Sequence, residues 1–86
     1  MNIKIAEYKL MSLTDFIDMI NNFANTSGYS RNDIILTLGD WNMPLPLEAH
    51  DDKGFIVLEY KGYSVRINPN SIFSVQVDRN RIEIKF

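Results

Sequence analysis

The chain opens on a period of two and then changes it. Over residues 2–10, Ile3 and Ile5 fall on one face and Ala6, Tyr8 and Leu10 on the other, which predicts a strand. From Leu13 the apolar residues recur at spacings of three and four. Leu13, Phe16, Ile17, Ile20, Phe23 and Ala24 make one stripe of an amphipathic helix. Ser12 stands at the N-cap, and Asp15, three residues on, sits where a helix N-terminus favours a carboxylate. Met11 is placed to staple onto Phe16. The helix should stop near Asn25, with Gly28 ending the turn.

Beyond the helix, "DIILTL" at residues 33–38 reads as a strand with apolar residues on both faces. From residue 55 the pattern becomes a meander. "GFIVLEYKGYSVRI" predicts a hairpin about Lys61-Gly62, with Tyr60 opposite Tyr63, Leu58 opposite Val65 and Ile56 opposite Ile67, all on one face. "SVQVDRNRIEIKF" predicts a second hairpin about Arg79-Asn80. It sets Val77 against Ile82, Val75 against Ile84 and Phe73 against Phe86. Its other face pairs Asp78 with Arg81, Gln76 with Glu83 and Ser74 with Lys85. A two-residue closure between the hairpins would put Phe73 on the wrong face, so a bulge or longer loop is expected near Asn70–Ile72. An apolar sheet face needs a cover, and the helix supplies the matching stripe. The fold class is α+β: a single amphipathic helix packed on a curved, mainly antiparallel sheet, in the order β-α-β-β-β-β-β-β with a C-terminal meander. Residues 1–86 read as a single domain.

"GDWNMPLPLEAHDDKG", residues 39–54, holds Trp41, the only tryptophan, His50, the only histidine, and two prolines, Pro44 and Pro46. Its period of two predicts an edge strand over "MPLPLEAH". Pro44 and Pro46 would lose their donors on the outer side, while Leu45, Leu47 and Ala49 keep theirs to pair with residues 55–60. Such prolines protect an edge from further pairing. The competing reading is a contact loop, since Trp41 and Met43 are residue types that interfaces favour. On the edge reading Trp41 is partly buried, closing one end of the sheet against the helix, because an exposed tryptophan beside Met43 makes an apolar patch.

Composition narrows the function classes. The hydrophobic share of 45% and charged share of 23% are those of a globular chain. A formal net charge of −2 gives no long-range pull on nucleic acid. With no cysteine, disulfides and thiolate metal sites are excluded, and a cytoplasmic location is expected. "MNIKIAEYKL" lacks the apolar run of a signal peptide, and nothing approaches a membrane-spanning length. Eleven isoleucines and nine asparagines against three alanines are the bias of an AT-rich genome, which points to a low-GC bacterium or its phage.

Chemistry is sparse. "EAHDD" offers Glu48, His50, Asp51 and Asp52, but a metal site needs three or four converging ligands, and this cluster is local and turn-like. His50 has no nucleophile at a recognisable motif spacing, and there is no glycine-rich phosphate loop. No enzyme, no cofactor and no metal are expected. Three readings remain. The first is a small protein-binding module, an inhibitor or an immunity or anti-defence type of protein, acting by surface complementarity through Trp41, Met43 and Leu45 and through the polar helix face of Asp15, Asp18 and Asn22. The second is a single-stranded nucleic-acid-binding or regulatory module using Arg66, Arg79, Arg81 and Lys85, with Glu59, Ser64, Ser74, Gln76 and Glu83 sharing one polar sheet face. The third is a self-associating structural subunit, a homodimer paired through an edge strand at residues 2–9 or 81–86.

Overall fold

The structure is a computed structural model that describes residues 2–5 and 9–86, with side chains from residue 11 onward. The helix forms where its signals lie. The Ser12 side chain accepts a hydrogen bond from the Asp15 N–H at 3.1 Å, and Gly28 ends the helix in the left-handed conformation at φ +82°. Helix α1 spans Leu13–Ser27, two residues beyond the predicted stop. It buries Phe16, Ile17, Ile20 and Phe23, while Leu13 and Ala24 are half-buried at the margins of the stripe.

The strands divide between two sheets. The first contains β1 (Asn2–Ile5), β2 (Lys9–Ser12), β3 (Ile35–Leu38), β4 (Trp41–Pro44), β8 (Ser74–Asp78) and β9 (Arg81–Lys85). Its order is β2-β1-β8-β9-β3-β4. The second is the meander β5-β6-β7, with β5 at Glu48–Asp52, β6 at Phe55–Tyr60 and β7 at Tyr63–Ile67. Local pairing follows the sequence pattern. Tyr60 faces Tyr63, Leu58 faces Val65 and Ile56 faces Ile67. Val77 faces Ile82, Val75 faces Ile84, and Asp78, Gln76 and Ser74 face Arg81, Glu83 and Lys85. The expected irregularity between the hairpins is a 3₁₀ turn at Pro69–Ser71, and there the chain leaves one sheet for the other.

The long-range pairings are parallel: Ile5 with Val75, and β3 with β9 from Ile35–Arg81 to Leu38–Ile84. These place β8 and β9 in the interior of the larger sheet. The inner faces of both sheets and the helix stripe meet in one core, with Leu36, Val75, Ile82 and Ile84 from the first sheet and Ala49, Ile56, Leu58 and Ile67 from the second. The result is a helix on antiparallel-rich sheets.

Four local expectations are corrected. Residues 2–10 are not one strand: β1 and β2 form an antiparallel hairpin, with Ile5 opposite Lys9. Ala6 and Tyr8, with the faces assigned to them, lie outside the described residues, and so does the side chain of Leu10. "MPLPLEAH" is not one strand either. Pro44 ends β4 in one sheet, Glu48 begins β5 in the other, and residues 45–47 cross between them. Leu45 and Pro46 turn inward and are buried, and the Arg31 guanidinium donates to the carbonyls of both. Glu59, Ser64 and Arg66 do not share a sheet with Ser74, Gln76, Arg81, Glu83 and Lys85. Finally, residues 81–85 form β9, flanked by β8 and β3, and β1 is flanked by β2 and β8. Neither β1 nor β9 is a sheet edge, and of the described residues in 2–9 and 81–85 only Lys9 belongs to an end strand, β2.

Candidate protein-interaction surface

The surface at the Trp41 end arises from a mismatch between pattern and cover. The two-residue turn Gly39-Asp40 joins β3 to β4 and sets Trp41 opposite Leu38. Gly39 lies at φ +60°, which favours glycine at the first turn position. Cross-strand partners share a face. Leu38 points into the core and is buried, so Trp41 is also on the core-facing side. Yet among the described residues no layer covers it there, and it is 71% exposed. This overturns the partial burial expected of Trp41, because the helix packs against β1, β2 and β5 rather than over this corner.

Phe86 follows Ile82 and Ile84 in the alternation of β9 and ends beside the Gly39 turn, 57% exposed. Phe73, whose N–H donates to the Lys85 carbonyl at 2.7 Å, is also exposed. The inner apolar face of the larger sheet therefore runs past the end of the core. Trp41 and Phe86 line a groove of about 340 Å³ together with Leu38, Val65, Ser71 and residues 66–68.

The other predicted contact residues fare differently. Met43 is half-buried against the core, and Leu45 is a core residue at 5% exposure, so Leu45 is unavailable to a partner. Asp15, Asp18 and Asn22 are exposed along the helix, where the Asn22 amide donates to the Asp18 carbonyl at 2.8 Å. The four cations of the nucleic-acid reading are split. Arg66 belongs to β7, ion-paired with Asp52 at 2.8 Å and lying over the Phe55 ring at 4.6 Å. Lys85 pairs with Glu83 at 3.5 Å. Arg79 and Arg81 line a small polar pocket with Gln76, Asp78, Asn80 and Glu83. Of the "EAHDD" cluster, His50 stands 3.9 Å from Glu59, and Asp51 accepts the Gly54 N–H in the turn. Among the described residues no three histidine or carboxylate side chains converge as a metal site.

The Tyr60–Tyr63 pairing was legible in the sequence, but two contacts were not: the bond made by the Tyr60 hydroxyl and the clamp made by Asn21. Tyr60 and Tyr63 stack with ring centroids 5.1 Å apart, and the Tyr60 hydroxyl crosses between the sheets to donate to the Pro44 carbonyl at 2.7 Å. Burial pushes this hydroxyl's pKa up to about 12, with Tyr63 adding to the shift. Asn21, on the polar side of the helix, clamps the edge of β5. Its amide donates to the Ala49 carbonyl at 2.8 Å and its oxygen accepts the Ala49 N–H at 2.6 Å. Ala49 thus turns away from β6, the reverse of its predicted side, while the Leu47 N–H does reach the Glu59 carbonyl at 2.8 Å. No protein-family model, curated protein or solved structure matches this chain. Among the described residues no helix is long and apolar enough to cross a membrane.

Proposed function

We propose that this protein is a binding module that works by contact with another protein, and that the Trp41 end is its contact surface. The observation that carries the reading is the exposure of Trp41, 71%, on the side of the sheet that elsewhere forms the core. Isolated exposed hydrophobics are ordinary. A tryptophan and a phenylalanine flanking one apolar groove are the residue types and arrangement that anchor interfaces. An inhibitor or immunity-type role inside a low-GC bacterium or in its phage is the finer form of this reading, supported by composition alone.

The test is affinity capture from such a host's extract with wild type and Trp41→Ala side by side, together with thermal unfolding of both. Loss of the captured protein with the unfolding midpoint little changed supports the reading. Undiminished capture by Trp41→Ala overturns it.

A further inference from the structure

The kind of partner follows from the strand edge beside the groove. The two-residue turn Lys61-Gly62 makes Tyr60 and Tyr63 the first hydrogen-bonded pair of β6 and β7. Bonded and non-bonded residues then alternate, so Ser64 and Arg66 point their N–H and C=O groups away from β6. β7 is the last strand of its sheet, and among the described residues no strand lies on its other side. Of the other three end strands, β2, β4 and β5, two are managed. β5 is clamped by Asn21. β4 ends in Pro44, which has no N–H and whose carbonyl is taken by Tyr60. Among the described residues the β7 edge has no such cap at Ser64 and Arg66, and it ends before Asn68, whose carbonyl accepts the Ser71 N–H at 2.9 Å. Residues 66–68 line the Trp41 groove. An unpaired backbone edge beside an apolar slot is the geometry of strand addition, in which main-chain bonds give affinity and alternate side chains fill pockets.

We propose that the β7 edge, residues 64–66, accepts an extended segment of a partner protein as an additional strand, with an apolar side chain of that segment seated between Trp41 and Phe86. This rests on the Trp41 end being the contact surface. A second copy of the chain fits less well. Twofold pairing centred on Ser64 or Val65 sets the second copy's Lys61-Gly62 turn against the groove, with its Tyr63 already stacked on Tyr60. Centring on Arg66 places that arginine opposite itself, and like charges directly opposite destabilise.

The test uses the intact protein and a displayed library of random linear peptides. Selected peptides should show apolar residues at alternate positions. Their binding should shift the amide resonances of Ser64 and Arg66 and the Trp41 indole signal, and should be lost in Trp41→Ala. N-methylating the selected peptide at alternate residues of one parity should weaken binding about tenfold for each N–H removed, and methylation at the other parity should not. Binding that needs Trp41 but ignores N-methylation at either parity overturns strand addition and leaves the contact surface standing. Failure to select any linear peptide overturns strand addition, and capture by wild type over Trp41→Ala then judges the contact surface separately. A dimer in sedimentation that Ser64→Pro dissociates overturns the proposal in favour of a second copy.

Discussion

Trp41 and Tyr60 are both aromatic residues near the β4 edge, and their surroundings give them opposite roles. The sequence supplied a reason to bury Trp41, avoidance of an apolar patch, but could not reveal that the covering layer stops short of it. That is set by where the helix lands, which no local pattern encodes. Tryptophan emission of the free protein should therefore resemble indole in water and be strongly quenched by iodide. Trp41→Ala should cost less than about 1 kcal/mol, as expected of a surface site, read by urea denaturation. Tyr60 is buried and hydrogen-bonded. Its pKa of about 12 lies above the ordinary tyrosine value of about 10 that holds in the unfolded chain. Below that ordinary value both states keep the proton and the contribution is constant. As pH rises from about 10 to about 12 the unfolded state ionises first, so this part of the stability, at most about 3 kcal/mol and less once solvent screening is counted, is lost. Urea midpoints near pH 11 and at neutral pH should differ by less in Tyr60→Phe than in wild type. At neutral pH the same variant should be less stable by about 1 kcal/mol, from the lost bond to Pro44.

Turns and caps explain why the elements were legible. Ser12, Gly28, Lys61-Gly62 and Arg79-Asn80 act within a few residues of themselves, and each appears where the pattern put it. Gly62 lies at φ +88°, a region that penalises any residue with a Cβ. Gly62→Val should therefore lower the unfolding midpoint far more than a change at exposed Lys61, and equal tolerance of both would remove the turn assignment. What the pattern missed at this scale is the contact between elements that are distant in sequence. Asn21 reads as one more polar residue on a solvated helix face, yet it holds both backbone groups of buried Ala49. Asn21→Ala should cost about 1–3 kcal/mol, since it leaves a buried N–H and C=O without partners. The Ala49 amide should then exchange faster relative to its neighbours. An unchanged exchange rate would mean that β5 needs no clamp.

At the scale of the whole molecule, the hairpins were readable because each is closed by its own turn, whereas the sheets were not. Nothing in residues 2–5 or 33–38 specifies that they lie parallel to β8 and β9. The one-sheet expectation followed from counting antiparallel neighbours along the chain, and the crossing at residues 45–47 breaks that count. The break makes the candidate surface, because two sheets joined by crossings at residues 45–47 and at Pro69–Ser71 leave the β4 and β7 edges beside one groove. The same arrangement makes the helix the common support of both sheets. Phe16 and Ile20 are almost fully buried in a core shared by Ile56 and Leu58 of one sheet and Ile82 and Ile84 of the other. Ile20→Ala should destabilise by about 2–5 kcal/mol through lost burial and the cavity left behind. A chain of this size buries only about 60% of its unfolded surface, so that loss is a large share of its total stability. The loss should also fall on both sheets together. Native-state hydrogen exchange would show the protected amides of β6 and β9 losing the same free energy in the variant, as members of one cooperative unit. If β6 amides lost protection while those of β9 kept theirs, the helix would be the support of the smaller sheet alone, and the two sheets would be separate units that merely touch.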